Sequence, residues 1–247
     1  MELLRGGSCT SIRYAPPMLR LTLCALALSL IGCQSTAGNP DDGCADYVFV
    51  FIKTGPAEGL SAEQVQEISM GHFANMEKMA NAGDLLVAGP LGPPKVDPDH
   101  RGIFVFDRPD VASAMALADT DPGAVAGVFV FEAHPWRAST ELRNVGALDQ
   151  KLRETLPPDA GPGATARPYA LVRCADAAKA REALSELDAD GKVLMFGELT
   201  GENPPGALFA LDAMDPNQAA KMLRSTSMPD GFWQVHPWFS SRVIEQM

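Results

Sequence analysis

The feature that most constrains the fold of this chain is an internal repeat. Four landmarks of the first half recur in the same order in the second half. The matched landmarks are Gly83 with Gly191, Gly89 with Gly197, Asp107 with Asp212, and the tripeptide His134-Pro135-Trp136 with His236-Pro237-Trp238. Ordered matches of this kind indicate that one structural unit has been duplicated. Both halves should therefore adopt the same fold.

Each half is predicted to form a β-α-β-β-α-β unit. Apolar runs indicate strands, and apolar positions at helical spacing indicate helices. In the first half the predicted strands are 47–53, 85–88, 103–106 and 128–133, and the helices begin at Ser61 and Asp110. In the second half the strands are 169–174, 193–196, 208–211 and 232–235, and the helices are 175–190 and the one opened by Asp215-Pro216. This order is the ferredoxin-like arrangement.

The first strands predict how the halves pack together. Residues 47–52, 103–106 and 128–131 carry apolar side chains on both faces, whereas an open antiparallel sheet alternates apolar and polar residues. Two helices cover only one face, so the other face needs a second cover. The predicted fold class is therefore α+β, with two ferredoxin-like repeats packed sheet to sheet as an intramolecular pseudo-dimer.

The N-terminus predicts export. Residues 21–32 form an uncharged apolar run after Arg13 and Arg20, which is typical of a signal peptide and too short for a membrane-spanning helix. The run ends in Leu30-Ile31-Gly32-Cys33, which resembles the bacterial lipobox. The resemblance implies cleavage before Cys33, lipidation of that cysteine and, with Gln34 following, anchoring in the outer membrane facing the periplasm.

The predicted organisation has five parts: a lipoprotein signal peptide (1–33), a polar tether (34–46), the first repeat (47–138), a linker with a Pro/Gly-rich end (139–167) and a degenerate second repeat (168–247). An oxidising envelope permits a disulfide between Cys44 and Cys174. The sequence leaves that pair open.

Charge and motifs exclude several classes of function. A formal net charge of -11 without a basic cluster argues against nucleic-acid binding. The sequence has no phosphate-binding glycine loop, no nucleophile elbow and no metal-ligand spacing. We therefore expect no cofactor and no metal. The expected partners are a small-molecule ligand, the membrane through Cys33, and each repeat for the other.

The first repeat resembles the YciI-like (YCII-related) family. The likeness is carried by His72, residues 83–91, Gly102 and residues 118–122. It implies a dimeric α+β barrel related to muconolactone isomerase, with a His–Asp dyad that falls on His72 and Asp121. In the second repeat Ala180 lies opposite His72, and residues 226–228, none of them acidic, lie opposite Asp121. The second site is therefore expected to be lost.

Two readings of the dyad residues stay open. His72 lies on the apolar stripe of its helix. It is either a core histidine hydrogen-bonded to a backbone carbonyl or a general acid/base. Asp121 is either a turn former before Pro122 or the partner that fixes the tautomer of His72.

The remaining polar candidates are weaker. His100 and Arg101 are expected in an exposed loop, from which Arg101 could reach an anionic substrate. His134 and His236 recur in both halves, which favours a structural role. We expect Trp136 and Trp238 to cover the end of the barrel and each proline to end its strand.

The resemblance implies cofactor-independent lyase or isomerase chemistry on a small carbonyl or lactone compound, with His72 moving a proton and Asp121 orienting His72. The alternative is a non-catalytic envelope module that binds a small ligand or a protein.

Overall fold

The computed structural model describes residues 43–202 and 205–247. The first half contains β1 (Cys44–Thr54), α1 (Ala62–Asn81), β2 (Leu85–Pro90), β3 (His100–Phe106), α2 (Val111–Ala118), α3 (Pro122–Val125) and β4 (Phe129–Ser139). A 3-10 turn (Thr140–Asn144), α4 (Val145–Glu154) and a second 3-10 turn (Pro162–Thr165) lead to the second half. That half contains β5 (Ala166–Cys174), α5 (Ala177–Ala183), α6 (Ser185–Ala189), β6 (Val193–Leu199), β7 (Gly206–Leu211), α7 (Pro216–Arg224), β8 (Trp233–Ser241) and a last 3-10 turn (Arg242–Gln246).

The strands form one antiparallel sheet that curls into a nearly closed barrel. Its order is β2-β3-β1-β4-β6-β7-β5-β8, so each half has the ferredoxin-like order and the halves join where β4 pairs with β6. At the opposite ends of the sheet, Leu91 bridges Trp238 and the Gly92 N–H donates to the Pro237 carbonyl oxygen at 2.8 Å. The predicted fold class is confirmed.

Alternation along β1 explains why that strand is apolar on both faces. Tyr47, Phe49 and Phe51 point into the barrel, where they share one core with Tyr169 and Trp238 of the second half. The intervening side chains Val48, Val50 and Ile52 point outward and pack under the helices of the first half. The second half buries its own outer face under its own helices. The barrel interior is therefore the surface that each half provides for the other.

A tryptophan from each half lies over a glycine of the other half. The Trp136 ring covers Gly197, where a Cβ would lie 2.3 Å from the ring. The Trp238 ring covers Gly89, where a Cβ would lie 2.8 Å from Nε1 and 2.0 Å from the Phe239 carbonyl oxygen. Both rings are buried in the shared core. The two recurring glycines are therefore required by close contact between the halves.

The prolines beside these tryptophans lie inside their strands, so the expectation that each ends its strand is wrong. Pro135 pairs with Val48, and Pro237 pairs with Ala170. Proline lacks an N–H but keeps its carbonyl. The Pro135 carbonyl accepts from the Thr200 N–H at 3.1 Å, across the seam between the halves. At this position the seam therefore uses the carbonyl that proline keeps.

Several boundaries differ from the prediction. Strand β1 begins at Cys44, and the 139–167 segment contains helix α4, which packs Val145 and Leu148 on the shared core. The predicted helix 175–190 breaks at Leu184 into α5 and α6.

Cys174 is a buried free thiol, so the Cys44–Cys174 disulfide does not form. Among the described residues, none of the helices combines the length and apolar character needed to cross a bilayer.

Candidate functional site

Helix α1 is fixed at both ends but stands away from the sheet over much of its length. Ser61 forms a capping box with Gln64, with hydrogen bonds of 3.2 and 2.8 Å. Gly83 ends the helix at φ +77°, a conformation that favours glycine. The only buried residue of α1 is Met79, in its last turn. The N-terminal turns of α1 therefore leave a gap between the helix and the strands.

That gap is a cavity of about 470 Å³. It is bounded by one face of α1, by the outer faces of β1, β2 and β3, and by the start of β4. Its apolar wall includes Ile52, Ile68, Met76, Ile103, Phe104 and Phe129. The polar side chains on the wall are Ser69, His72 and Arg101. Ser69 already donates to the Val65 carbonyl at 2.8 Å, so His72 and Arg101 are the groups available to a ligand.

His72 and Asp121 are in direct contact at the wall of this cavity. His72 Nδ1 lies 2.6 Å from Asp121 Oδ2, and Asp121 is completely buried. The other carboxylate oxygen accepts the Gly123 N–H at 2.7 Å. A carboxylate so placed favours the tautomer in which Nδ1 carries the proton. His72 Nε2 has no hydrogen-bond partner among the described residues and is left for a ligand.

Two glycines allow this contact. A Cβ at Gly71 would lie 2.9 Å from Pro122 Cγ, so the glycine lets α1 approach α3 closely. A Cβ at Gly123 would lie 2.3 Å from the Phe129 ring and 3.0 Å from Asp121 Oδ1. Sequence analysis did not identify either residue. A glycine inside a predicted helix was the available signal, because it costs helix stability and so points to close packing.

Asp121 has a second role that sequence analysis missed. It is the N-cap of α3, with Pro122 at the first helical position. Sequence analysis considered Asp121 only as a turn former before Pro122 or as the partner of His72. At the start of α3 the same carboxylate is stabilised by the backbone N–H and by the helix dipole. This cap holds Asp121 in place for His72.

Arg101 lines the same cavity, and His100 does not. Strand β3 begins at His100, so its neighbouring side chains point to opposite faces. His100 is buried in the barrel, where it stacks on Phe51 with ring centroids 4.5 Å apart. The expectation of an exposed His100 is therefore wrong. The Arg101 guanidinium lies 5.5 Å from the centre of the Phe129 ring.

Among the described residues, the second half has no equivalent of the His72–Asp121 pair. Ala180 is fully buried where His72 would stand. Thr226 matches Asp121, because their N–H groups make equivalent hydrogen bonds to Leu223 and Ala118. In this half Phe196 stacks on Phe209, and Arg181 pairs with Glu198 at 3.0 Å. The predicted loss of the second dyad agrees with this packing.

A separate polar group lies inside the barrel around Phe51. His134 and His236 each have ring centroids 6.0 Å from Phe51, and His100 and His236 are 5.8 Å apart. His134 bonds Glu132 at 2.9 Å. Burial lowers the pKa of His236 to about 4; the positive charges of His100 and Arg173 act in the same direction, and Asp97 opposes them. Among the described residues, no group of three or more His, Cys, Asp or Glu side chains is arranged to hold a metal ion.

The lipobox cysteine Cys33 lies outside the described residues.

No protein-family profile matches the sequence, and a search of curated proteins gave no match. Solved structures similar to this chain include three mutant forms of chlorite dismutase from Candidatus Nitrospira defluvii. Their identities are 13%, 12% and 12%, with TM-scores of 0.48, 0.46 and 0.43. Each alignment covers 83% of this chain and 93–94% of the other. Likeness at this level carries nothing about the chemistry of this chain.

Proposed function

We propose that the first half is a cofactor-independent catalyst of proton transfer, of the lyase or isomerase class, acting on a small carbonyl or lactone compound. The observation that carries the proposal is the 2.6 Å contact between His72 Nδ1 and the buried carboxylate of Asp121, on the wall of an apolar cavity. An imidazole held in one tautomer, with its second nitrogen unengaged, is suited to general acid/base work.

The reaction would begin with His72 Nε2 taking a proton from the carbon next to the substrate carbonyl. The electron pair of the broken C–H bond moves into the carbonyl as an enolate, and the imidazolium is stabilised by Asp121. Returning the proton to a different carbon gives an isomer. Departure of a leaving group from the neighbouring carbon gives an elimination product instead. The apolar walls around His72 limit water and strengthen the His72–Asp121 interaction.

Deuterium exchange tests this chemistry without a known substrate. A panel of small lactones and carbonyl compounds is incubated with the protein in D₂O, and loss of the signal of the acidic proton is followed by ¹H NMR. We expect His72→Gln to lower the exchange rate by roughly 10²- to 10⁴-fold. Asp121→Asn should lower it as well, because the amide favours the wrong tautomer.

His134→Gln is the matched control, since His134 lies in the barrel interior and not on the cavity. Exchange that is unchanged in His72→Gln would overturn the proposal.

The second candidate function is ligand binding without catalysis. The half-exposed Val65 and the exposed Phe73 border the cavity, as apolar groups that receive a ligand or a partner segment would. A compound that binds saturably and equally well to wild type and His72→Gln, without exchange or turnover, would favour this candidate.

We also propose that the mature chain is a lipoprotein of the bacterial envelope, anchored through Cys33 in the outer membrane and facing the periplasm. The proposal is supported by the order of three features in residues 13–33: basic residues, then an apolar run, then a lipobox-like sequence that ends at Cys33. Labelling cells with radioactive palmitate tests it. Cys33→Ala should abolish incorporation, whereas Cys24→Ala, a cysteine inside the apolar run, should retain it. Incorporation into Cys33→Ala would refute the anchor.

A further inference from the structure

The cavity beside His72 contains one cation that no carboxylate neutralises. Among the described residues, no acidic oxygen lies within 4.0 Å of the Arg101 guanidinium, although Arg108, Arg143 and Arg173 each have an acidic partner. The chain carries a formal net charge of -11. In so acidic a protein, an arginine without a carboxylate partner on a cavity wall is available to an anionic ligand.

Arg101 and His72 lie close enough to hold one small molecule. Both contact the Phe129 ring: the guanidinium carbon is 5.5 Å from the ring centre, and the imidazole centre is 5.1 Å from it. The two groups are therefore no more than 10.6 Å apart. Most of the remaining wall is apolar. A single guanidinium binds a carboxylate through two parallel hydrogen bonds, and the apolar wall favours an apolar body.

The second half lost this cation together with the histidine. Val48 pairs with Phe106 and Ala170 pairs with Leu211, so β3 and β7 are equivalent and Gly206 stands at the position of Arg101. A Cβ at Gly206 would lie 2.3 Å from Glu202 Oε2 and 2.7 Å from the Cys174 carbonyl oxygen. No side chain fits there. The second half therefore lacks an equivalent of both His72 and Arg101, as expected if both serve one ligand.

We propose that the ligand of this cavity is a small monocarboxylate with an apolar body, an aryl- or alkyl-carboxylate, whose carboxylate is bound by Arg101 and whose reactive carbon lies beside His72. This inference rests on the proposed function for the identity of the reactive group and extends it to the class of substrate. Arg101 is the specificity-determining residue.

Pairs of acids and amides test the inference by equilibrium binding. The probes are phenylacetate, 4-phenylbutyrate and octanoate, each with its uncharged primary amide, and binding is measured by calorimetry and by NMR titration. We expect wild type to bind at least one acid about tenfold or more tightly than its amide. Arg101→Gln should abolish that preference. Arg242→Gln, the same change at an exposed arginine outside the cavity, should keep it.

Three outcomes would overturn the inference: equal binding of acid and amide by wild type, a preference that survives in Arg101→Gln, or no saturable binding of any probe. The result is separable from the proposed catalysis, because His72→Gln should keep the preference for the acid. A carboxylate preference without any exchange activity would leave this inference standing and refute the catalytic role. Exchange on neutral lactones without a carboxylate preference would support the catalytic role and refute this inference.

Discussion

We expect mild acid to destabilise the protein through the buried imidazole of His236. It is 3% exposed, and burial lowers its pKa from 6.5 to about 4. In the unfolded chain the same imidazole titrates at its ordinary value. Between pH 6.5 and 4, His236 is therefore mostly protonated in the unfolded state and mostly neutral in the folded state. The stability contributed by neutral His236 is complete above pH 6.5 and is lost as the pH falls toward 4.

The size of this effect follows from the difference of about 2.5 units between the pKa of His236 in the unfolded and in the folded chain. At roughly 1.4 kcal/mol per unit, the full effect is about 3–4 kcal/mol. From pH 7 to pH 4.5, linkage gives a loss of about 2 kcal/mol in the free energy of unfolding. Chemical denaturation at a series of pH values measures this loss directly. In His236→Gln and in His236→Leu, the loss of stability between pH 7 and pH 4.5 should be smaller than in wild type by this amount.

The pair of variants separates titration from packing. Gln and Leu fill the site differently, so the two variants will differ in stability at pH 7. Because neither titrates, their slopes should agree. The pKa of His100 is also lowered by burial, so some slope will persist in both. A wild-type slope in both variants would show that His236 is not the residue held neutral.

Three other substitutions test the packing. Gly197→Ala places a methyl group 2.3 Å from the Trp136 ring and should lower the free energy of unfolding by about 1–3 kcal/mol in urea denaturation; no loss would refute the tight seam. Gly146→Ala, in helix α4 with open space around it, is the control and should raise stability by up to about 1 kcal/mol. Gly71→Ala should push α1 away from Pro122 and weaken the contact between His72 and Asp121. In NMR of the histidine side chains, the Nδ1 proton of His72 should then shift upfield. An unchanged shift would contradict this account.

The repeat and its strand order could be predicted from sequence because they depend on local patterns. Gly83 and Gly191 end helices, and apolar runs such as residues 47–52 require cover on both faces. The broken helix at Leu184 and helix α4 were missed because packing against the barrel, not local propensity, decides both.

The candidate site was only partly predictable. His72 and Asp121 came from a family resemblance, and their separation along the chain gave no information on the 2.6 Å contact between them. The cavity itself could not be predicted. It depends on how far α1 stands from the sheet, which is set by tertiary contacts such as Gly71 against Pro122.

The tryptophan–glycine contacts make the two halves dependent on each other under mutation. Gly89 and Pro90 form part of the cavity wall in the first half, and Trp238 of the second half packs against Gly89. The second half thus supports part of the cavity wall of the first half. Substitutions at Trp238 will be felt by a ligand beside His72, although this tryptophan belongs to the opposite repeat. Selection on ligand binding in the first repeat would accordingly preserve this part of the second repeat, which has alanine in place of His72.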